Sequence, residues 1–304
     1  TYFKDTNSNI KEIVIKFIPE ANSRMIMLET GEVDIAESLL PLDFQKISKK
    51  DDKFVSVEMQ SSSNMFIGFD LRDKRLADKK VRQAIAYAIN NQDIVDSIYN
   101  GSATVATSPI PKITTGHNEN SNPYTQNIEK AKQLLAEAGY ADGFNIVLNV
   151  NEDNQRVDTA VVIQDNLKAI GINVEIKTYQ WASYVAFVEN PAQEKGMFLM
   201  AWNIANDDPD ELLYPLYHSS QIDAHTNVVF YKNEEFDNLI SKARETTDKE
   251  KRIELYKKAQ DIIQEELPHY AILYPMQNFA YKKNIKGIEV NKKGYFNFQN
   301  TIVE

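Results

Sequence analysis

Between residues 144 and 179 the chain reads strand, helix, strand, and this stretch limits the possible folds more than any other. Phe144 to Val150 places Ile146, Leu148 and Val150 on one face. Val157 to Ile170 has the spacing of an amphipathic helix and ends at Gly171. Ile172 to Tyr179 returns to alternation, with Ile172, Val174 and Ile176 aligned. Two strands joined by a helix pair in parallel, and a parallel sheet needs cover on both faces. The expected class is therefore α/β.

The flanking sequence extends this pattern. Ile13, Ile15 and Phe17 read as a strand ended by Pro19, and Asn22 as the cap of a short helix stopped by Gly31. Val33–Ala36, Phe54–Met59 and Met65–Phe69 read as strands, with a helical turn over Leu42–Ile47. Asp78 is expected to cap a helix over Lys79–Asn90, with a second over Gln92–Tyr99. Ser102–Tyr124, with Pro109, Pro111 and Pro123, reads as a long surface loop, and Asn127 as the cap of a helix ending at Ala138. Trp181–Val188 is helical, and Met197–Trp202 is an apolar strand running into the acidic turn 206–210. Helices follow over Glu234–Arg244 and Lys249–Gln264, the second opened by a capping box of Thr247 and Glu250. Tyr270–Tyr281 reads as strand, turn, strand, and Phe296 and Phe298 as packing a last strand. Strands gather at both ends and helices in the middle, which suggests one domain inserted within another.

Composition removes several classes of function. The chain has 304 residues, enough for about two domains, and a formal net charge of −10 with a pI near 5.1. That balance argues against a nucleic-acid partner. No apolar run approaches the length of a membrane-spanning helix. The absence of cysteine removes disulfides, thiolate metal sites and cysteine nucleophiles together.

Local motifs for chemistry are sparse. His117, His218, His225 and His269 form no His-Glu-x-x-His, so no metal is expected. There is no Gly-x-Ser-x-Gly elbow and no glycine-rich phosphate loop, so no cofactor is expected. The turn Asp207-Asp208-Pro209-Asp210 lacks the glycine and distal glutamate of an EF-hand loop. It reads better as a helix start with Asp208 as N-cap and Pro209 at N1. The one dense acid–base cluster, Asp207 and Asp208 with His218, leaves a peptide or glycan hydrolase as a rival function. Asn100-Gly101-Ser102 matches a glycosylation sequon and also reads as a turn after a helix. Trp181 begins a helix after one strand and Trp202 ends another. Ligands collect beyond strand C-termini in open α/β sheets, so both are candidate pocket walls; ordinary core packing is the alternative.

Several segments resemble, in order, the family 5 extracellular solute-binding proteins, the peptide-type substrate-binding components of ABC importers. They are Asn22–Ala36 with its Leu28-Glu29-Thr30-Gly31-Glu32-Val33-Asp34 run, Leu76–Asn90, Ala131–Tyr140, Ile163–Ile176, Ala201–His218 and Tyr231–Pro268. The resemblance implies a periplasmic-binding-protein-like type II fold whose two lobes close on an extended peptide. It implies a partial lobe I at 1–62, lobe II at 63–269 and a return to lobe I at 270–304, the start at Thr1 marking a C-terminal portion. Some apolar residues at the ends, such as Ile13, Ile15, Ile272 and Leu273, would then lack part of their cover. It also implies an extracytoplasmic, lipid-anchored, monomeric protein that passes its solute to permease subunits, with a surface adhesin or receptor on the same scaffold as a third reading.

Site residues carry over from the resemblance in part. The main chain of Ala201, Trp202 and Asn203 would pair with peptide backbone, and Trp181 matches a pocket tryptophan. Many relatives place an aspartate for the peptide ammonium three residues after the strand tryptophan; here that residue is Ala205. Asp207 or Asp208 would have to substitute. No arginine matches the carboxylate clamp of dipeptide binders, since Val150 and Asn151 occupy that neighbourhood. Both departures favour longer peptides or a non-peptide solute.

Overall fold

The computed structural model describes residues 8–119, 124–291 and 293–304. Pro123 and Thr1, named above, lie outside them. In chain order the elements are α1 (Ala21–Thr30), β1 (Ile35–Glu37), α2 (Pro41–Ser48), β2 (Phe54–Gln60), β3 (Ser63–Phe69), α3 (Lys79–Ala88), α4 (Asn91–Ser97), β4 (Ala103–Val105) and α5 (Ile128–Glu137). There follow β5 (Phe144–Asn151), α6 (Asn154–Lys168), β6 (Ile172–Tyr179), α7 (Trp181–Glu189), β7 (Met197–Asn203), α8 (Asp210–Tyr217), α9 (Glu234–Glu245), α10 (Lys249–Glu266) and β8 (His269–Lys282). Four two-residue strands complete the chain, β9 (Ile285–Lys286), β10 (Glu289–Val290), β11 (Phe296–Asn297) and β12 (Ile302–Val303).

The residues divide into two compact units. Of the described residues, those within Ser62–Tyr99 and Ala103–Tyr274 form one, and those within 8–61, Asn100–Ser102 and Pro275–Glu304 form the other.

The larger unit is built on strands in the order β8-β3-β7-β5-β6. β3 runs antiparallel to both of its neighbours, β8 and β7, and β7, β5 and β6 run parallel. Alternation sends Met65, Ile67 and Leu199 to one face with α3, α5 and α6, where Val81, Ile85, Leu135, Ile163 and Leu167 are buried. It sends Phe66 and Phe198 to the other face, against Tyr184, Leu213, Phe236, Tyr256 and Ile263 of α7 to α10. Gly68 faces Phe198 across the β3–β7 ladder, and a Cβ there would fall 2.1 Å from the Phe198 ring. The smaller unit flanks the second half of β8 with β1 and β2 and buries Leu28, Phe44, Ile47 and Phe54 over them.

Several sequence expectations change. Ile13 to Phe17 forms no strand: Ile13 is 54%, Ile15 85% and Phe17 98% exposed. Alternation selects a face, but a strand also needs a partner for its backbone groups, and no ladder reaches this stretch. Ile272 and Leu273 are fully buried, because they lie on β8 beside β3. Tyr270–Tyr281 is one continuous strand with Pro275 inside it, not two strands and a turn. The long loop contains β4, and Ala106 just past it donates to the Ile272 carbonyl of β8. Asp248 caps α10, accepting from the N–H groups of Glu250 and Lys251, in place of the expected Thr247 box. Pro209 occupies the N-cap position of α8, and Asp208 accepts from the Asp210 N–H at 3.0 Å.

Candidate functional site

Because β7, β5 and β6 are parallel, their C-terminal ends lie along one edge of the larger unit. β5 ends there at Asn151, and β6 ends at Tyr179, one residue before the N-cap of α7. β7 overshoots β5: the register between them is Leu148 with Met197 and Asn149 with Phe198, and among the described residues no strand covers that side of β7 further on.

The direction of the uncovered groups follows from the ladder. The Trp202 N–H donates to Asn64 Oδ1 at 3.3 Å, and the Ile204 N–H to the Ser62 carbonyl at 3.0 Å, so both face β3. In an extended strand the intervening residues turn their main-chain groups the opposite way. Ala201 and Asn203 therefore direct N–H and C=O to the open side. Leu199 points the same way, but its carbonyl accepts from the Tyr184 hydroxyl at 2.6 Å. Burial raises the pKa of that phenol and keeps its proton in place. The open stretch thus begins at Ala201.

Asn149 braces this edge. Its Nδ2 donates to the carbonyls of Lys195 (2.6 Å) and Met197 (3.2 Å), and its Oδ1 accepts from the Tyr179 hydroxyl at 3.0 Å. The two tryptophans differ in role. Trp202 is half-buried against the α7–α10 face, and its Nε1 donates to the Glu211 carbonyl at 2.8 Å. Trp181 remains 50% exposed, beside Tyr184 and beneath the guanidinium of Arg156 at 5.6 Å from the ring centre.

The acidic turn makes contacts of its own. Asp207, at φ 60°, accepts from the N–H and Oγ1 of Thr115 at 2.8 and 3.2 Å. Asp208 pairs with Arg252 at 2.7 Å. Ala205 is exposed and brings no charge. His218 is engaged elsewhere. The Ser220 N–H donates to its Nδ1 at 3.2 Å, which makes that nitrogen an acceptor and puts the proton of the neutral ring on Nε2. Nε2 then faces Ser241 at 3.5 Å as a donor and cannot take a proton from it. The structure thus gives Asp207, Asp208 and His218 separate structural partners. Among the described residues no three histidine or carboxylate side chains are grouped to hold a metal ion, and no helix is long and apolar enough to cross a membrane.

Residues 1–224 match the family model "Bacterial extracellular solute-binding proteins, family 5 Middle". The chain belongs to the family 5 bacterial extracellular solute-binding proteins. Its family relatives include heme-binding protein A of Haemophilus influenzae, 31% identical over 97% of this chain and 54% of the relative. The dipeptide-binding protein of Escherichia coli is 30% identical over 98% of this chain and 56% of its own length. Among solved family members, the periplasmic binding protein DppA from Helicobacter pylori in complex with the peptide STSA superposes with a TM-score of 0.83 at 30% identity, over 93% of this chain and 56% of that one. The oligopeptide-binding protein AppA from Bacillus subtilis, in complex with a nonapeptide, gives 0.83 at 29%, over 94% and 59%. The chain spans about half the length of the curated relatives it matches. The mixed α/β architecture is that of the periplasmic-binding-protein-like type II fold.

The sequence pointed to Trp181 and to Ala201–Asn203 but passed over Asn149, whose bonds to the Lys195 and Met197 carbonyls join distant segments.

Proposed function

We propose that the full-length protein is the substrate-binding component of an ABC importer, taking a peptide-like solute outside the cytoplasm and handing it to permease subunits. It acts by binding rather than catalysis, as a monomer held at the cell surface by a lipid anchor. Ser62–Tyr99 with Ala103–Tyr274 corresponds to lobe II, and the smaller unit to part of lobe I. The observation that carries this reading is the open side of β7, where Ala201 and Asn203 offer main-chain donors and acceptors to an added strand. Strand addition reads backbone and tolerates varied side chains, which suits a peptide carrier. Trp181 and Trp202 supply flat surface beside it. With Ala205 in place of a carboxylate, the ligand ammonium has no dedicated counter-charge, which favours solutes longer than a dipeptide.

Ala201→Pro tests this reading. It removes an N–H that the β3 ladder does not use, so folding is retained. Full-length wild-type protein incubated with a pool of tri- to nonapeptides and examined by native mass spectrometry should retain peptides. The variant should retain at least about tenfold less, the equivalent of one to two lost hydrogen bonds. Equal retention by the two proteins refutes strand addition at β7, and no retention by the wild type refutes peptide as the solute.

A further inference from the structure

The larger unit treats the two edges of its sheet differently. At one edge β4 pairs with β8. At the other lies β6, which pairs with β5 alone; among the described residues no strand covers its outer side. An uncovered edge is a template for another strand, and proteins commonly blunt it with a bulge, a proline or lysines. β6 has neither bulge nor proline: its register with β5 runs unbroken from Ile172 to Tyr179. Its two charges, Glu175 and Lys177, are of opposite sign.

The Glu152 N–H donates to the Tyr179 carbonyl at 2.8 Å, so the main chain of Tyr179 faces β5. Alternation turns Asn173, Glu175 and Lys177 the same way and directs the main-chain groups of Val174, Ile176 and Thr178 to the open side. In agreement, the Val174 carbonyl accepts from Gln164 Nε2 of α6 at 2.7 Å, and a second lone pair remains on it. The side chains of Ile172, Val174 and Ile176 join the core under α6. Glu175 and Lys177 stand on the other face, 66% and 48% exposed, 3.7 Å apart in a contact that water screens. A groove of about 690 Å³ beside the strand adds apolar walls from Val161 and Val162.

Set antiparallel against its own copy about a two-fold axis at Ile176, this strand is self-complementary. Ile176 meets Ile176 and Val174 meets Thr178, all with open main-chain groups, so they form the hydrogen-bonded pairs of a ladder. Glu175 falls opposite Lys177 at the intervening position, where side chains approach most closely. The symmetry repeats each contact, so every charge is matched. Moving the axis to Val174 would set Glu175 against Asn173 and Lys177 against Gly171; the charges select Ile176.

We propose that β6 is a self-association edge, through which two copies join antiparallel about Ile176 into one continuous sheet, held by the main chain of Val174, Ile176 and Thr178 and by reciprocal pairs of Glu175 with Lys177. β5 separates β6 from β7, so each monomer keeps its own solute site and remains the working unit. A single strand pair buries less area than a permanent dimer needs, which makes the association reversible.

The test is sedimentation velocity of the full-length protein from about 1 μM to about 1 mM, the span of a transient contact. Wild type should pass from monomer to dimer. Glu175→Lys and Lys177→Glu each oppose like charges twice and should each weaken the dimer at least about tenfold. An equimolar mixture of these two variants should regain a dimer of wild-type strength, because every opposed pair is then of opposite sign. Thr178→Pro removes an N–H on the open side, spares the ladder with β5, and should weaken the dimer as much. Wild type that stays monomeric throughout overturns the proposal. So does a dimer that both charge reversals leave unchanged, or a mixture that stays monomeric while each variant keeps wild-type circular dichroism and melting. The peptide pool should be retained equally by wild type and the charge variants in native mass spectrometry; loss of retention by folded variants would make β6 part of the solute site and also overturn the proposal.

Discussion

At the scale of single residues, His269 carries the largest unmet demand. Its ring is buried, stacked on Phe66 at 4.3 Å with Phe198 and Tyr217 around it, and neither nitrogen has a hydrogen-bond partner. Burial alone pushes its pKa down to about 3. The folded protein therefore holds the imidazole neutral, while the unfolded chain protonates it near 6.5. Stability is fully present above pH 6.5 and falls as the pH drops towards 3, by about 1.4 kcal/mol for each pH unit in that window. His269→Phe keeps the stacking and removes the titration. Its melting temperature should exceed that of the wild type by more at pH 5 than at pH 7; parallel curves would refute the assignment. This residue was visible in the sequence only as one histidine among four. What makes it unusual is the set of aromatic neighbours from β3, β7 and α8, and no local pattern encodes that set.

At the scale of elements, the helices were the legible part. The expected caps of α3 and α5, Asp78 and Asn127, each accept from a main-chain N–H in the first turn, whereas α6 starts earlier than Val157, at Asn154 after the cap Asp153. Cap and periodicity both lie within a few adjacent residues, so sequence can report them. The start of α10 shows the limit. Thr247 and Asp248 are both good caps one residue apart, and the choice depends on how the chain arrives from α9. Asp248 wins with two N–H groups. Asp248→Ala should cost about 1 kcal/mol in urea denaturation, whereas Thr247→Ala should cost much less; the reverse order would return the cap to Thr247. Strands were harder, because a ladder is an agreement between distant segments. Tyr270–Tyr281 looked like two strands and a turn, yet β8 runs through it unbroken. Ile13 to Phe17 looked like a strand, yet no ladder reaches it. The edge formed by Ala201–Asn203 was legible as a strand end, but its openness depends on where β5 stops.

At the scale of the whole chain, the apolar stretch from Ile13 to Phe17 is the principal exposed liability. An uncovered β-prone segment promotes association between chains. Ile15→Lys with Phe17→Lys should lower the concentration-dependent scattering of the 304-residue chain and leave its melting temperature within about 1 kcal/mol equivalent of the parent. A drop in melting temperature would show that these side chains support the fold. Strand β8 sets a different limit, one of order in time. Phe66 of β3 pairs with Ala271, and Phe54 of β2 pairs with Lys282, so both units draw on a strand more than 200 residues further along the sequence. Closing such long loops is slow, and neither sheet is complete until His269–Lys282 has been synthesised. Until that strand is present, the residues that precede it lack the ladder partner of β1, β2 and β3. A single late strand thus makes the folding of the two units interdependent: a change that delays the pairing of β8 delays both.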